Sequence, residues 1–193
     1  IGWVVLASSQ GKSPRSGILL AVIGLVAGVL FTIIGNGLLF VDVTQRAVIT
    51  NTLTGNLETP RNPGTSIIIP GLQVATFYPI NQQTFSMGST NITNERADDE
   101  AVNATTVDGQ PVALDVTIFY SITTDTEALN RFHQRWGQNW ENFVRSTART
   151  VVRDVVSTFR AENVYGEGRV DMQVRINDQM RAELESEGLV LNS

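Results

Sequence analysis

From Gly17 to Val41 the chain reads GILLAVIGLVAGVLFTIIGNGLLFV, without one charged residue. A helix rises ~1.5 Å per residue, so this run slightly exceeds the ~30 Å thickness of a bilayer's hydrocarbon core. The length predicts one transmembrane helix over residues 17–41, with residues 1–16 as its N-terminal flank. A cleavable signal peptide is the competing reading. Its apolar region usually spans only ~7–15 residues and is followed by small residues of the A-x-A kind, which do not occur here. Gly24 and Gly28 form a G-x-x-x-G pair that would let a second helix approach closely in the membrane. The opening IGWVVLA is also apolar and does not begin with Met, as the tail of an earlier apolar segment would read.

Charge is distributed unevenly about this run. The chain has 193 residues and a formal net charge of -5, yet Lys12 and Arg15 precede the span and every Asp and Glu follows Val41. The positive-inside tendency then places the N-terminal flank in the cytoplasm and the folded part outside it. Nucleic acid is not an expected partner, because phosphate binding needs a concentrated basic surface. There is no cysteine. That excludes disulfides, thiolate catalysis and cysteine-ligated metals, and also S-acylation as an anchor.

After the span, periodicity divides the chain into a β-rich half, 42–124, and a helical half, 125–193. RAVIT, TSIIIP and VATFYPI are short β-branched and aromatic runs separated by Gly, Pro and Asn, as strands joined by turns are. ATTVDGQPVALDVTIFYSI, residues 104–122, reads as two strand arms around a tight turn at Asp108-Gly109. Val112, Leu114, Val116, Ile118, Tyr120 and Ile122 alternate with polar residues, so one face is packed and one is wet. Asp125 fits the N-cap of a helix over TEALNRFHQRW. A second helix, expected from Asn139 to Asn163, carries Trp140, Phe143, Val144, Thr147, Ala148, Val151, Val152, Val155, Val156 and Phe159 on one face. A third puts Met172, Ile176, Met180 and Leu184 on a stripe and ends near Gly188.

Few residues offer chemistry. His133 is the single histidine and, within RFHQRW, reads as a surface or partly packed helix residue rather than a base. Asp98, Asp99 and Glu100 lack the spaced oxygens of a calcium loop. Neither G-x-S-x-G nor a phosphate-binding G-x-x-x-x-G-K-[ST] occurs. The expectation is a protein that is not an enzyme and needs no cofactor.

The order of an anchor, VTQRAVI, PGTSIIIP, TTVDGQPVALDVTIFYSI, VRSTARTVVRDVVSTFRAENVY, Arg169 and EGLVL resembles the SPFH or band 7 superfamily of prohibitins, stomatins, flotillins and HflK/HflC proteins. The resemblance begins at about Asp42 and runs to the end. It implies an α+β domain, an antiparallel β-sheet with packed helices, held to the membrane by the helix before it. It further implies a scaffold that assembles laterally, with copies of itself or a paralogous subunit, into a ring or cage. Such a scaffold organises membrane lipid or regulates a membrane protein, in several members an FtsH-type protease. A stomatin-like organiser of lipid domains or regulator of channels is the alternative. The long helical arm that usually follows the domain in such proteins is not expected within these 193 residues. The expected location is a bacterial cell membrane, crossed once, with the domain extracytoplasmic.

Two surfaces are singled out. PGLQVATFYPI carries Leu72, Val74, Phe77 and Tyr78 with no charge, a set that suits the headgroup boundary, with an interior strand as the competing reading. Arg145, Arg149 and Arg153 follow at four-residue steps and form a basic stripe on the long helix, with Glu141 placed to pair within it. In a head-to-tail ring that stripe needs a complementary surface, and the acidic run Asp98, Asp99 and Glu100 is the candidate. A simply solvated face is the other reading of the stripe.

Overall fold

The computed structural model describes residues 14–88 and 101–192. Helix α1, Pro14–Gly37, is long and apolar enough to cross a membrane from Gly17 onward. It ends four residues before the expected Val41, because Leu38–Val41 form strand β1 instead. Gly35 and Gly37 weaken the last turn. Beyond them the chain gains a full antiparallel ladder with β3, Gly64–Ile67, in register Leu38↔Ile67 to Val41↔Gly64. Long-range pairing thus overrides the apolar run.

β2, Gln45–Asn51, pairs antiparallel with β4, Gln73–Pro79, and its other edge takes bridges from Leu57 and Arg61. This ribbon has two packed faces. Ala47 and Ile49 point into a small core with Leu39 and Val41, while Val48 and Tyr78 point into the large one. β1–β4 are termed the β-lobe below.

The remainder is the helical lobe. β5, Gln83–Met87, β8, Val116–Ile122, and β9, Leu189–Leu191, form an antiparallel sheet with β8 at its centre. The expected single arm from Val112 to Ile122 is in fact two strands: β7, Pro111–Leu114, pairs with β6, Val102–Thr105, and β8 joins the other sheet. The alternation runs through the break, and Val112, Ile118, Tyr120 and Ile122 are all buried. The connection between β6 and β7 is five residues, 106–110, wider than a two-residue turn, with Gly109 at φ 78°. Its purpose is docking. The Asp108 carboxylate accepts from the Ala161 N–H at 3.2 Å, and the Val107 N–H donates to the Phe159 carbonyl at 2.9 Å.

That contact falls where the expected long helix breaks. α2, Thr126–Trp136, is capped by Asp125, whose side chain accepts from the Ala128 N–H at 2.8 Å. α3 runs only from Trp140 to Val156, followed by the five-residue α4, Ala161–Tyr165. Ser157 and Thr158 hydroxyls each take a carbonyl three residues back, competing with the helical ladder just where the β6–β7 turn claims Phe159. The apolar face of α3 is as expected: Val144, Ala148, Val151, Val152, Val155 and Val156 are buried, with Trp140, Phe143 and Phe159 packed at the margin. α5, Arg169–Ser186, buries Met172, Met180 and Leu184 against it. Glu187 then ties α5 back to α2 by accepting from Arg135 at 2.6 Å and Trp136 at 3.0 Å.

Candidate functional site

Strand alternation sorts the residues of β1 and β3. Leu39 and Val41 turn inward, so Leu38 and Phe40 turn outward, and register sets Ile67 beside Leu38. Phe40 is 71% and Ile67 66% exposed. Val43 and Ile69, just beyond these strands, are exposed as well. The position of these strands follows from one close approach: the Ile68 N–H donates to the Gly37 carbonyl at 2.8 Å, which fastens β3 to the end of α1. A Cβ at Gly37 would stand 2.4 Å from the Ile68 carbonyl oxygen, so only glycine allows this junction. From Gly17 to Gly37 the helix is about 31 Å long, close to the thickness of a hydrocarbon core. The outward residues of β1 and β3 therefore begin where that thickness ends.

Of the four residues expected at the bilayer surface, Leu72, Val74 and Phe77 are exposed. Tyr78 is not. It is 1% exposed, stacked edge-on against Phe132 in the large core, and its membrane contact is corrected here. The reason is the period of two: Phe77 stands across from Ala47 and Tyr78 from Arg46, so adjacent residues of β4 serve opposite faces.

Leu25, Gly28, Val29 and Thr32 of α1 and, from the loop after β3, Pro70 line a shallow groove of about 370 Å³. A Cβ at Gly24 or Gly28 would meet nothing within 4 Å, so neither glycine is required by the packing of this chain on itself.

The arginine stripe is partly engaged within the domain. The Arg145 guanidinium lies 5.9 Å from the centre of the Phe85 ring, and Arg153 Nε donates to the Asn103 carbonyl at 3.0 Å. Arg149 is half-buried between them. Asp98, Asp99 and Glu100 lie outside the described residues.

One cluster escaped the sequence reading. Arg46, Thr50 and Tyr78 share the ribbon face that α2 covers, and His133 of α2 meets it. Tyr78 Oη is 2.6 Å from His133 Nδ1, and Thr50 Oγ1 is 3.4 Å from Nε2. The Arg46 guanidinium, 7% exposed, donates to the Thr124 carbonyl just before α2. Burial lowers the His133 pKa and pushes the Tyr78 hydroxyl up to about 12. The signal available in the sequence was the alternation Arg46, Val48, Thr50, which puts a cation on an otherwise packed face. Among the described residues no group of three or more His, Asp or Glu side chains is placed to hold a metal.

An apolar helix joined directly to a small α+β domain with an apolar outer ribbon is the outline of a membrane-associated module. The family comparison gives it a class: the SPFH domain / Band 7 family matches residues 39–193, and the chain belongs to that family. No curated protein matches it.

Proposed function

We propose that this protein is a membrane-anchored SPFH scaffold, crossing the bilayer once through α1 and seating the β1–β3 ribbon in the headgroup layer. The observation that carries this reading is the continuity between α1 and the exposed Leu38, Phe40 and Ile67, set by the Gly37–Ile68 hydrogen bond. Apolar side chains held at that depth exchange water for the acyl boundary. Phe40, being mostly exposed, contributes roughly 1–2 kcal/mol by area. Phe77, on the ribbon face opposite Tyr78, is a further contact where the ribbon tilts toward the surface, whereas Val74 stands across from Thr50 on the other face.

Such anchoring confines copies to a plane, where weak lateral contacts suffice for a closed ring or cage. In this reading the ring organises membrane lipid or regulates a membrane protein, including an FtsH-type protease, and is built from copies of the chain or a paralogous subunit. Gly24 and Gly28 supply a smooth helix surface for neighbours. The domain faces away from the cytoplasm of a bacterial cell, as Lys12 and Arg15 before the span direct.

The chain has no cysteine, so single-cysteine probes report cleanly. An environment-sensitive dye on Phe40→Cys should show blue-shifted emission in lipid vesicles relative to the same dye on Leu53→Cys; equal emission removes the seat. Images of the detergent-extracted particle test assembly: a closed ring or cage is expected, and a monomer overturns it. Protease accessibility in spheroplasts decides the side of the membrane.

A further inference from the structure

We propose that the contact between Tyr78 and His133 is a proton-operated latch between the two lobes, closed when the imidazole is neutral and released when it is protonated. The latch joins elements far apart in sequence. β2 and β4 present Arg46, Val48, Thr50 and Tyr78 on one face, and α2 crosses that face with Phe132 and His133. Tyr78 is edge-on to both rings, with centroids 5.7 Å from each. Its buried hydroxyl needs an acceptor, and unprotonated Nδ1 is the one in reach. Nε2 then carries the hydrogen and faces the Thr50 hydroxyl. The Tyr78 O–H keeps an acceptor here only if the imidazole is neutral.

Protonation reverses the first contact. Nδ1 becomes a donor, and the Tyr78 O–H, which burial keeps neutral, loses its acceptor within the core. On β2, Arg46 lies directly across from Tyr78, buried, and its partner is the uncharged Thr124 carbonyl. In the bridging segment, Glu58 and Arg61 pair with each other at 3.6 Å, and Glu58 accepts from Gln73, whose register with Asn51 puts it on the opposite ribbon face. On α2, Glu127 pairs with Arg131 in solvent, and Arg135 is held by Glu187. None of these carboxylates is turned to His133. Burial alone lowers its proton affinity in the closed state, so protons bind the open state more readily. The closed contact is therefore fully stable above the ordinary histidine pKa of ~6.5 and loses stability as pH falls below it.

The experiment uses the full chain in lipid nanodiscs from about pH 8 to about pH 5. Its one histidine gives a single imidazole 13Cε1 resonance that needs no assignment. The expected midpoint lies below 6.5. After correction for intrinsic rates, amide exchange in Gln73–Pro79 and Thr126–Trp136 should rise about ten-fold for each unit by which the midpoint is lowered, and follow the same midpoint. His133→Gln, which keeps an acceptor and a donor but does not titrate, should flatten that response, while amides of α3 respond alike in both proteins. A midpoint at or above 6.5 overturns the latch, and so does an equal response in parent and variant. If the variant does not fold, exchange in the parent that fails to track the imidazole signal overturns it equally.

Discussion

Replacing Gly37 by alanine sets two effects of opposite sign against each other. Alanine in place of glycine inside a helix ordinarily stabilises by ~1 kcal/mol. At this position the new Cβ stands 2.4 Å from the Ile68 carbonyl oxygen and 3.5 Å from Pro70 Cδ. Reaching an ordinary contact requires the backbone of β3 to retreat by about 1 Å, and overpacking of this kind costs ~1–3 kcal/mol. The same retreat stretches the 2.8 Å hydrogen bond from Ile68 to the Gly37 carbonyl, whose loss adds ~0.5–1.5 kcal/mol. The clash wins: Gly37→Ala should destabilise by about 0.5–3.5 kcal/mol after the helical gain is subtracted. Gly28→Ala is the control, since its Cβ would meet nothing within 4 Å and keeps the helical gain. Thermal unfolding of the detergent-solubilised variants gives the order Gly28→Ala at or above the parent, then Gly37→Ala below it. A dye on Ile69→Cys should also report a more aqueous site when Gly37 is replaced. If Gly37→Ala matches Gly28→Ala in both measurements, the ribbon is not fastened to the helix end as described.

The other expectations concern assembly and the core. Arg149→Glu should loosen the particle seen by size-exclusion chromatography, and Asp99→Arg in the same chain should restore part of it; exposed pairs contribute only ~0.2–1 kcal/mol each, so register changes more than strength. A double variant no better than the single one separates the two patches. Gly24→Leu with Gly28→Leu should lower the assembled fraction while leaving the fold intact by circular dichroism, because a Cβ at either position meets nothing within 4 Å. Leu184→Ala, fully buried between α5 and the sheet, should cost ~2–5 kcal/mol in chemical denaturation, and a cost below ~1 kcal/mol would mean that this core is not packed as described. Asp108→Ala should raise amide exchange at Ala161. The Thr106 hydroxyl and then the Ala161 N–H hold the Asp108 carboxyl below its usual pKa, so the contact is present at neutral pH and fades as pH falls through that lowered value; exchange that stays flat in acid dismisses it.

How much of this was legible depended on the range of the forces involved. The faces of α3 and α5 could be read because helical period and burial agree within one element. Asp125 could be read because an N-cap is decided within four residues. The end of α1 could not, since β1 owes its existence to Gly64–Ile67, far along the chain, and a continuous apolar run looks the same in either state. The stretch 72–78 shows a different failure. Composition marked it as apolar and uncharged, but only the alternation of β4 separates Phe77, exposed, from Tyr78, buried. His133 gave no sign of its role, because its partner Tyr78 lies 55 residues away.

The two faces of the β2–β4 ribbon tie the strand that follows α1 to the rest of the domain. Ala47 and Ile49 share a core with Leu39 and Val41 of β1, the strand that continues directly from α1. Val48 and Tyr78, on the reverse face, share a core with Phe132, Val144 and Leu184 of the helical lobe. A wall packed on both sides passes displacement rather than absorbing it, since native interiors are close-packed and repack in steps. On the proposed seating, a tilt of the β1–β3 ribbon against lipid is felt first at the contact with α2. There the polar ties are few, Arg46 to Thr124 and His133 to Tyr78 and Thr50, and one of them carries a titratable ring. If the proposed seating and latch both hold, the joint between the lobes is the place where lipid contact and acidity act on the same few atoms.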